Sequence, residues 1–191
     1  MKTNTRLNIG LAILTIMVLS SLILPSFTDV NPTAQGTYRK SLPTSRQHPL
    51  GTNSLGQDIM WINIFALRNS LLLGVGVAAV VTIISTGVGL TAGYLGGWAD
   101  RAIIIITDSF IIIPTLPILI VLAALIKGAT SFLAIGTILV VFGWSWGTRT
   151  IRSMALSLRE REFINMAYFS GMNSLEIIFK EIFPYLYTFA I

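Results

Sequence analysis

The stretch NSLLLGVGVAAVVTIISTGVGLTAGYLGGWA, residues 69–99, contains no charged side chain from its first position to its last. A helix crosses the roughly 30 Å hydrocarbon core of a bilayer with about 20 residues, because each residue adds about 1.5 Å. This stretch is longer than that requirement. It therefore predicts a helix that spans a membrane.

Three further stretches have the same character. Residues 7–28 and 128–148 also lack charged side chains, and residues 102–126 hold only Asp108. Charged residues make up 11% of the 191 residues, against roughly 25% in an ordinary soluble domain. The sequence therefore predicts an all-α, multi-pass transmembrane helical bundle and excludes a soluble enzyme.

Apolar and polar segments divide the chain into three parts. Residues 1–25 form a predicted N-terminal transmembrane helix, preferred over a cleaved signal peptide because no small-x-small site follows it. Residues 26–68 form a predicted extracytoplasmic loop, rich in Pro, Gly, Thr and Ser, that ends in a short interfacial helix at 61–68. Residues 69–191 form the main transmembrane domain, with a charged cytoplasmic segment at 157–181.

The main domain is predicted to contain three complete spans, which makes four with the N-terminal helix. These three spans run over about 69–95, 101–126 and 131–150. Residues 182–191 form a further apolar run, which covers about 15 Å, half of the bilayer core. This run predicts the start of a fifth span and a chain that is truncated at its C-terminus.

The distribution of basic residues predicts an N-terminus in the cytoplasm. In this orientation eight of the 13 Lys and Arg residues face the cytoplasm, including the cluster at 149–161, and five, with Lys127 among them, face out. Basic residues between spans set orientation, so the net charge of +5 does not indicate binding to nucleic acid.

The chain lacks the residues that several chemical functions require. The chain has no cysteine and a single histidine, His48, which excludes thiol catalysis and a Cys-bound metal site. Lys127 and Gly128 stand in the wrong order for a phosphate-binding loop, so this chain is not expected to bind ATP through one. The spans also lack the acidic or histidine relay that is typical of a proton-coupled secondary transporter. No catalytic, cofactor or metal site is predicted.

Glycines recur at a spacing of four along two of the predicted spans. Gly89, Gly93 and Gly97 form two overlapping small-xxx-small repeats, and Gly143 and Gly147 form another. This spacing places them on one helix face, where another backbone can approach closely. They predict either helix packing inside the subunit or a dimer seam around a pore, and the pattern does not separate the two.

One charged residue and two prolines lie inside the third predicted span. Asp108 is near its cytoplasmic end, where a structural role is favoured over a contact with substrate. Pro114 and Pro117 remove backbone donors and predict a kink, which would suit a helix that lines a pore.

The segment SLREREFINMAYFSGMNSLEIIFKEIFP, residues 157–184, predicts a compact turn on the cytoplasmic side. Its first helix would carry an apolar face at positions i, i+3, i+4 and i+7, which are Phe163, Met166, Ala167 and Ser170. Gly171 can adopt the left-handed conformation that ends a helix.

The next helix of this segment would begin at Asn173. Glu176 stands three residues later, as in a capping box. A short helix, a glycine turn and a new helix make a shape that suits docking in a groove of a soluble partner. A plain connecting loop is the alternative.

Residues 165–184 resemble the cytoplasmic EAA motif of ABC importer permeases. That motif has Glu-Ala-Ala, three residues, Gly, nine residues, and then Ile-x-Leu-Pro. Ala167, Gly171 and Pro184 match it at the right spacing. The departures from the motif are Asn165, Met166, Glu181 and Phe183.

Other stretches resemble the dipeptide/oligopeptide/nickel branch of these permeases. SLREREF at 157–163 is one of them, and HPLGTNSLGQD at 48–58 is similar to its signature HPLGTDxLGRD, with Asn53 and Gln57 as departures. AGYLGGWADR at 92–101 and TDSFIIIPTLPIL at 107–119 resemble the region that joins its second and third helices.

The resemblance implies a plasma-membrane permease subunit of an ATP-driven importer of dipeptides, oligopeptides or nickel, with peptides favoured. Such a subunit is not an enzyme and binds no cofactor, because partner subunits bind ATP. The implied partners are a second permease, two ATPases, an extracytoplasmic solute-binding protein and the lipid bilayer. The alternative is a truncated remnant that does not transport, and a secondary transporter is disfavoured.

The resemblance also implies which residues act. The helix at 162–171 would dock in a groove of one ATPase. The residues implied in ATPase coupling are Glu162, Asn165, Met166, Ala167, Gly171, Met172 and Pro184.

Overall fold

The computed structural model describes residues 2–125 and 131–190. The predicted all-α class is confirmed, since every regular element in these two ranges is helical. The helices are α1 (Lys2–Ile23), α2 (Ile59–Leu95), α3 (Gly97–Ile112), α4 (Thr115–Leu125), α5 (Phe132–Arg159), α6 (Glu162–Phe169), α7 (Ser174–Glu176) and α8 (Phe183–Ala190). A 3₁₀ turn, Leu24–Phe27, follows α1, and a π-helical segment, Ile177–Ile182, joins α7 to α8.

Three of the described helices are long and apolar enough to cross a membrane. They are Thr5–Phe27, Ile59–Leu95 and Phe132–Arg159. A bent pair, Gly97–Ile112 with Thr115–Leu122, makes a fourth candidate if it counts as one span. The predicted connection that carries Lys127, and the end of the last apolar run at Ile191, lie outside the described residues.

Two predicted boundaries are wrong. The interfacial helix at 61–68 is not a separate element, because α2 runs without interruption for 37 residues. Asp58 caps the N-terminus of α2, since its Oδ1 accepts hydrogen bonds from the backbone N–H groups of Met60 and Trp61 at 2.9 and 3.2 Å. α5 extends to Arg159, nine residues past its predicted end, because nothing between 150 and 159 breaks a helix.

The predicted kink in the third span is present as a break. α3 ends at Ile112, α4 begins at Thr115, and the two axes differ by 67°. Pro114 lacks the N–H that would continue the helical hydrogen bonds, and its ring disfavours helical geometry at the residue before it. Pro117 lies in the first turn of α4, where its missing N–H costs nothing.

The chain forms two compact units, one ending at Val75 and one beginning at Gly76. In the first unit, the loop before α2 is held by buried polar contacts. His48 Nδ1 lies 2.7 Å from Asp58 Oδ2, and both side chains are almost fully buried. The Thr52 hydroxyl donates to the Arg39 carbonyl at 2.6 Å and accepts from the Leu42 N–H at 2.9 Å.

The core of the second unit joins the segment that follows α5 to two long helices. Its buried residues are Leu90, Ala155, Ile164, Ala167, Ile177, Ile178, Ile182 and Leu186. They come from α2, α5, α6, the π-helical segment and α8. Because α6 shares this core, a movement of α6 is opposed by packing on both α5 and α8.

Candidate functional site

One side of the short helix α6 is buried against the rest of the second unit. Ile164 is 4% exposed and Ala167 is 8% exposed, and both pack in the core of the second unit. Phe163 is half-buried and stacks on Tyr185, with ring centroids 5.0 Å apart. The predicted apolar face is therefore only partly right, because Met166 and Ser170 are exposed and Ile164 takes their place.

The rest of the surface of α6 carries large exposed apolar side chains. Met166 is 70% exposed, Tyr168 is 68% exposed and Phe169 is 85% exposed. Glu162 and Asn165 are exposed as well. Apolar side chains of this size that the described residues leave uncovered are typical of a surface that binds a partner.

The end of α6 is fixed by backbone hydrogen bonds. Gly171 has φ +85°. Its N–H donates to the Tyr168 carbonyl at 3.0 Å, and the Met172 N–H donates to the Ala167 carbonyl at 3.2 Å. These two bonds form a Schellman motif, which requires the left-handed residue that the sequence predicted.

The predicted capping box opens the next helix. The Asn173 side chain accepts from the Glu176 N–H at 2.9 Å, and the Glu176 carboxylate accepts from the Asn173 N–H at 3.0 Å. The Asn173 N–H and then the Lys180 ammonium hold the pKa of the Glu176 carboxyl below its usual range. The carboxylate therefore stabilises this turn above the usual glutamate pKa, and that contribution is lost as the pH falls through the lowered value.

The segment between this turn and α8 is a π-helix. In an α-helix the ring of Pro184 would meet the carbonyl of Lys180, four residues earlier. The backbone widens instead, and the Phe183 N–H donates to the Ile178 carbonyl, five residues back. Pro184 itself is exposed in the first turn of α8. Widened turns of this kind are frequent at functional sites.

Two open grooves flank α6. One, of about 520 Å³, is lined by four residues of the predicted coupling set, Glu162, Met166, Ala167 and Met172, together with Phe163, Ser170 and Glu181. The other, of about 280 Å³, is lined by Tyr94, Leu95, Arg159, Ile164, Asn165, Tyr168 and Ser174. Asn165 thus lines a different groove from these four residues.

Two of the predicted glycines lie against α5. A β-carbon at Gly89 would be 2.8 Å from the Thr148 carbonyl oxygen, and one at Gly93 would be 2.6 Å from the β-carbon of Ala155. Both distances are shorter than real contacts of a β-carbon. These residues therefore pack inside the subunit.

The remaining predicted glycines differ from one another. A β-carbon at Gly147 would be 2.5 Å from the Ser85 hydroxyl oxygen, and one at Gly143 would make an ordinary contact with Val81. At Gly97 a β-carbon would meet nothing within 4 Å. Gly97 is the first residue of α3, its φ is +64°, and it makes no packing contact within the described residues.

Asp108 pairs with a residue that the sequence did not single out. Arg149 Nη1 donates to Asp108 Oδ1 at 3.0 Å, and the two side chains are 61% and 43% exposed. A second ion pair, more deeply buried, joins Asp100 to Arg152 through two hydrogen bonds. Both pairs link α3 to α5.

A pattern in the sequence could have indicated these pairs. Each joins an acidic residue to a basic residue at a similar distance from the connection between two predicted antiparallel spans. No such pattern marks Tyr168 and Phe169, because exposure of an apolar side chain depends on what the rest of the fold leaves uncovered.

The two departures from the loop signature at 48–58 contact each other. Asn53 Nδ2 donates to Gln57 Oε1 at 2.9 Å. The signature has Asp and Arg at these positions, so a neutral hydrogen-bonded pair replaces a pair of opposite charges. Asn53 Oδ1 also accepts from the N–H groups of Leu55 and Gln57, as a carboxylate oxygen would.

We expect the two substitutions Asn53→Asp and Gln57→Arg to be coupled. Each alone removes the amide–amide bond, whereas both together place a carboxylate beside a guanidinium. The coupling free energy should be about 1 kcal/mol in favour of the double variant. Thermal unfolding in detergent of the wild type, both single variants and the double variant measures it, and strictly additive effects would contradict the pairing.

The comparisons with known proteins agree with the geometry. The family described as "Binding-protein-dependent transport system inner membrane component" matches residues 85–191. The oligopeptide transport system permease protein OppC of Mycobacterium tuberculosis is 36% identical over 142 residues, which are 74% of this chain and 49% of that protein.

Two further relatives align with nearly the whole chain. OppC of Lactococcus lactis subsp. cremoris is 30% identical over 180 residues, 94% of this chain and 60% of that protein. The dipeptide transport system permease protein DppC of Alkalihalophilus pseudofirmus is 32% identical over 187 residues, 96% of this chain and 60% of that protein. The chain thus spans about half to three-fifths of the length of these relatives.

Proposed function

The chain belongs to the family of binding-protein-dependent transport system inner membrane components, and from this premise we propose that it is a permease subunit of an ATP-driven ABC importer of peptides. Its relatives are named as oligopeptide and dipeptide permeases. Its apolar helices agree with a multi-pass protein of the inner membrane. In this proposal the chain contributes to the path for dipeptides or oligopeptides and a separate subunit hydrolyses ATP.

The observation that carries this proposal is the exposed apolar surface of α6. Met166, Tyr168 and Phe169 project from a helix whose other edge is locked into the core. A partner that binds this surface therefore pushes on a rigid body rather than on a loose loop. We propose that the partner is a cytoplasmic ATPase, which places α6 and the N-terminus in the cytoplasm.

Coupling follows from the way α6 is joined to its neighbours. Ile164 and Ala167 share one core with Ala155 of α5 and with Ile182 at the end of the π-helical segment. A displacement of α6 is therefore transmitted to both α5 and α8. The ATPase biases the transporter between inward and outward access only if its contacts with α6 differ between the two states.

The remaining proposed partners follow from the same function. A second permease would complete the path, a second ATPase would complete the ATP-hydrolysing pair, and an extracytoplasmic solute-binding protein would deliver the peptide. The loop before α2 would then face that binding protein. No nucleic acid and no cofactor of this chain are part of the proposal.

The test is co-purification from cells that express the neighbouring transport genes. We expect the wild-type chain to recover an ATPase and a second permease in mild detergent. Replacing Met166 and Phe169 together by Asp should lower the recovered ATPase by about tenfold or more, because it puts charge at the centre of the proposed interface. The amount of second permease should not change.

The control makes the same type of change, an exposed apolar residue to Asp, at the end of the first span. Phe27 is 82% exposed and follows α1, so Phe27→Asp adds a charge where no ATPase would bind. Equal recovery of the ATPase by all three proteins would contradict the role proposed for α6.

A further inference from the structure

The larger of the two grooves beside α6 combines an apolar lining with negative charge. Its volume is about 520 Å³, within the roughly 300–1,000 Å³ of pockets that hold small molecules. Its charged lining is Glu162 and Glu181, and its apolar lining is Phe163, Met166, Ala167 and Met172. Among the described residues, no basic side chain lines it.

The two carboxylates are not neutralised by the part of the chain that the structure describes. Neither Glu162 nor Glu181 forms an ion pair there. Lys180, which precedes Glu181, pairs with Glu176 at 3.4 Å instead. Arg161, which precedes Glu162, is exposed and forms no ion pair in these ranges either. The groove therefore holds two uncompensated negative charges.

Glu181 is the more informative of the two residues. Glu162 lies in the first turn of α6, where the helix dipole favours negative charge without any partner. Glu181 is half-buried and lies within a helical run that continues into α8, so no helix end accounts for its charge. The EAA motif has Ile at this position, so packing there does not need a charge. A partly buried carboxylate without a cation lowers the stability of the isolated chain.

A metal ion does not suit this groove. Ca²⁺ takes about six to eight oxygen ligands, whereas the groove offers two carboxylates and the Ser170 hydroxyl, which already donates to the Met166 carbonyl at 2.8 Å. The remaining lining is apolar. Lysine and arginine match it better, because each has an apolar stem and a cationic head.

The groove adjoins the surface of α6 that is proposed to bind the ATPase. Met166 is 70% exposed and belongs to both, since it lines the groove and projects from α6. A partner that covers Met166 therefore reaches the groove as well.

We propose that a lysine or arginine side chain of the ATPase enters this groove and binds Glu181. The cationic head pairs with the Glu181 carboxylate, Glu162 adds negative charge, and the stem packs on the apolar lining. The groove thereby selects an ATPase that carries a basic residue at this point of its surface. This inference rests on the proposed function, since it names the chemistry of the contact between the permease and its partner.

The test measures the Kd of the full chain, purified in mild detergent, for the ATPase encoded beside it, at low and at high salt. Glu181→Gln should raise the Kd at low salt by about tenfold, the effect of one charge-assisted hydrogen bond. It should also make the Kd depend less on salt, because salt screens an ion pair that the variant lacks.

A matched control removes the same charge outside the groove. Glu160 is exposed, lines neither groove beside α6 and pairs with Arg159 at 3.1 Å. Glu160→Gln should therefore change the Kd by no more than about twofold, as expected for an exposed ion pair.

Glu181→Ile separates a contact from a structural role. It should weaken binding of the ATPase as much as Glu181→Gln does, yet it should not lower the melting temperature of the chain, since it removes an unpaired, half-buried charge. Loss of binding together with loss of stability would assign Glu181 to the fold and overturn the proposal.

A charge swap tests the class of the partner residue. Glu181→Lys should abolish most binding of the wild-type ATPase, and replacing one basic residue of the ATPase by Glu should restore it. If no such replacement restores binding, the proposal is wrong. An unchanged Kd and salt dependence in Glu181→Gln would overturn it too, whereas failure of the wild-type chain to bind any ATPase would overturn the proposed function itself.

Discussion

Gly93→Leu is expected to prevent α2 from packing on α5. A β-carbon at this position would be 2.6 Å from the β-carbon of Ala155 and 2.7 Å from the carbonyl oxygen of Arg152. A backbone oxygen cannot rotate away, so the two helices must separate. Overpacking of this type should lower the free energy of unfolding by about 3 kcal/mol or more.

The measurement is thermal unfolding of the purified protein in detergent, followed by fluorescence-detected size exclusion. The control is Gly87→Leu on the same helix, where a β-carbon would meet nothing within 4 Å. Because both variants place a leucine in α2, any effect of leucine on helix propensity or insertion is common to them. Equal melting temperatures would show that α2 does not pack on α5 through Gly93.

Gly171→Leu is expected to insert normally and to lose most of its association with the ATPase. The site has room for a side chain, since a β-carbon would meet nothing within 4 Å. The cost comes from φ +85°, a left-handed conformation that disfavours a residue with a β-carbon by about 1–2 kcal/mol. Relief of this strain would unwind the Schellman motif and redirect α6, whose exposed surface is the proposed docking site.

The same position offers a graded control. Asparagine adopts the left-handed conformation more readily than leucine, so Gly171→Asn should retain a larger share of the recovered ATPase. The readouts are co-purified ATPase and peptide-stimulated ATP hydrolysis. Unchanged co-purification and transport by Gly171→Leu would contradict the assignment of α6 as the coupling helix.

The turn that follows α6 is the part of the site that was most predictable. The Schellman motif at Gly171 and the capping box of Asn173 with Glu176 depend on hydrogen bonds between residues three to five positions apart. Residue type and spacing therefore suffice to locate them. The break at Pro114 is equally local, because it follows from a missing N–H and a ring clash within one turn.

The buried face of α6 was not predictable in the same way. The spacing of Phe163, Met166 and Ala167 fits one helix face, yet Met166 is 70% exposed and Ile164 is 4% exposed. A rotation of a fraction of a turn decides which of two adjacent apolar residues enters the core. That rotation is set by packing against α5 and the π-helical segment, which residue type and spacing within α6 do not specify.

The helical class, the apolar spans, the proline break and the caps follow from the sequence alone, because each depends on composition or on neighbours within one or two turns. Helix packing, by contrast, selects α5 as the neighbour of Gly89 and Gly93, leaves Gly97 at the start of α3 without a packing contact in the described residues, and pairs Arg149 with Asp108. A glycine or a charged residue limits the kind of contact that is possible at its position. The rotation and depth of each helix then select which of the possible partners is in contact.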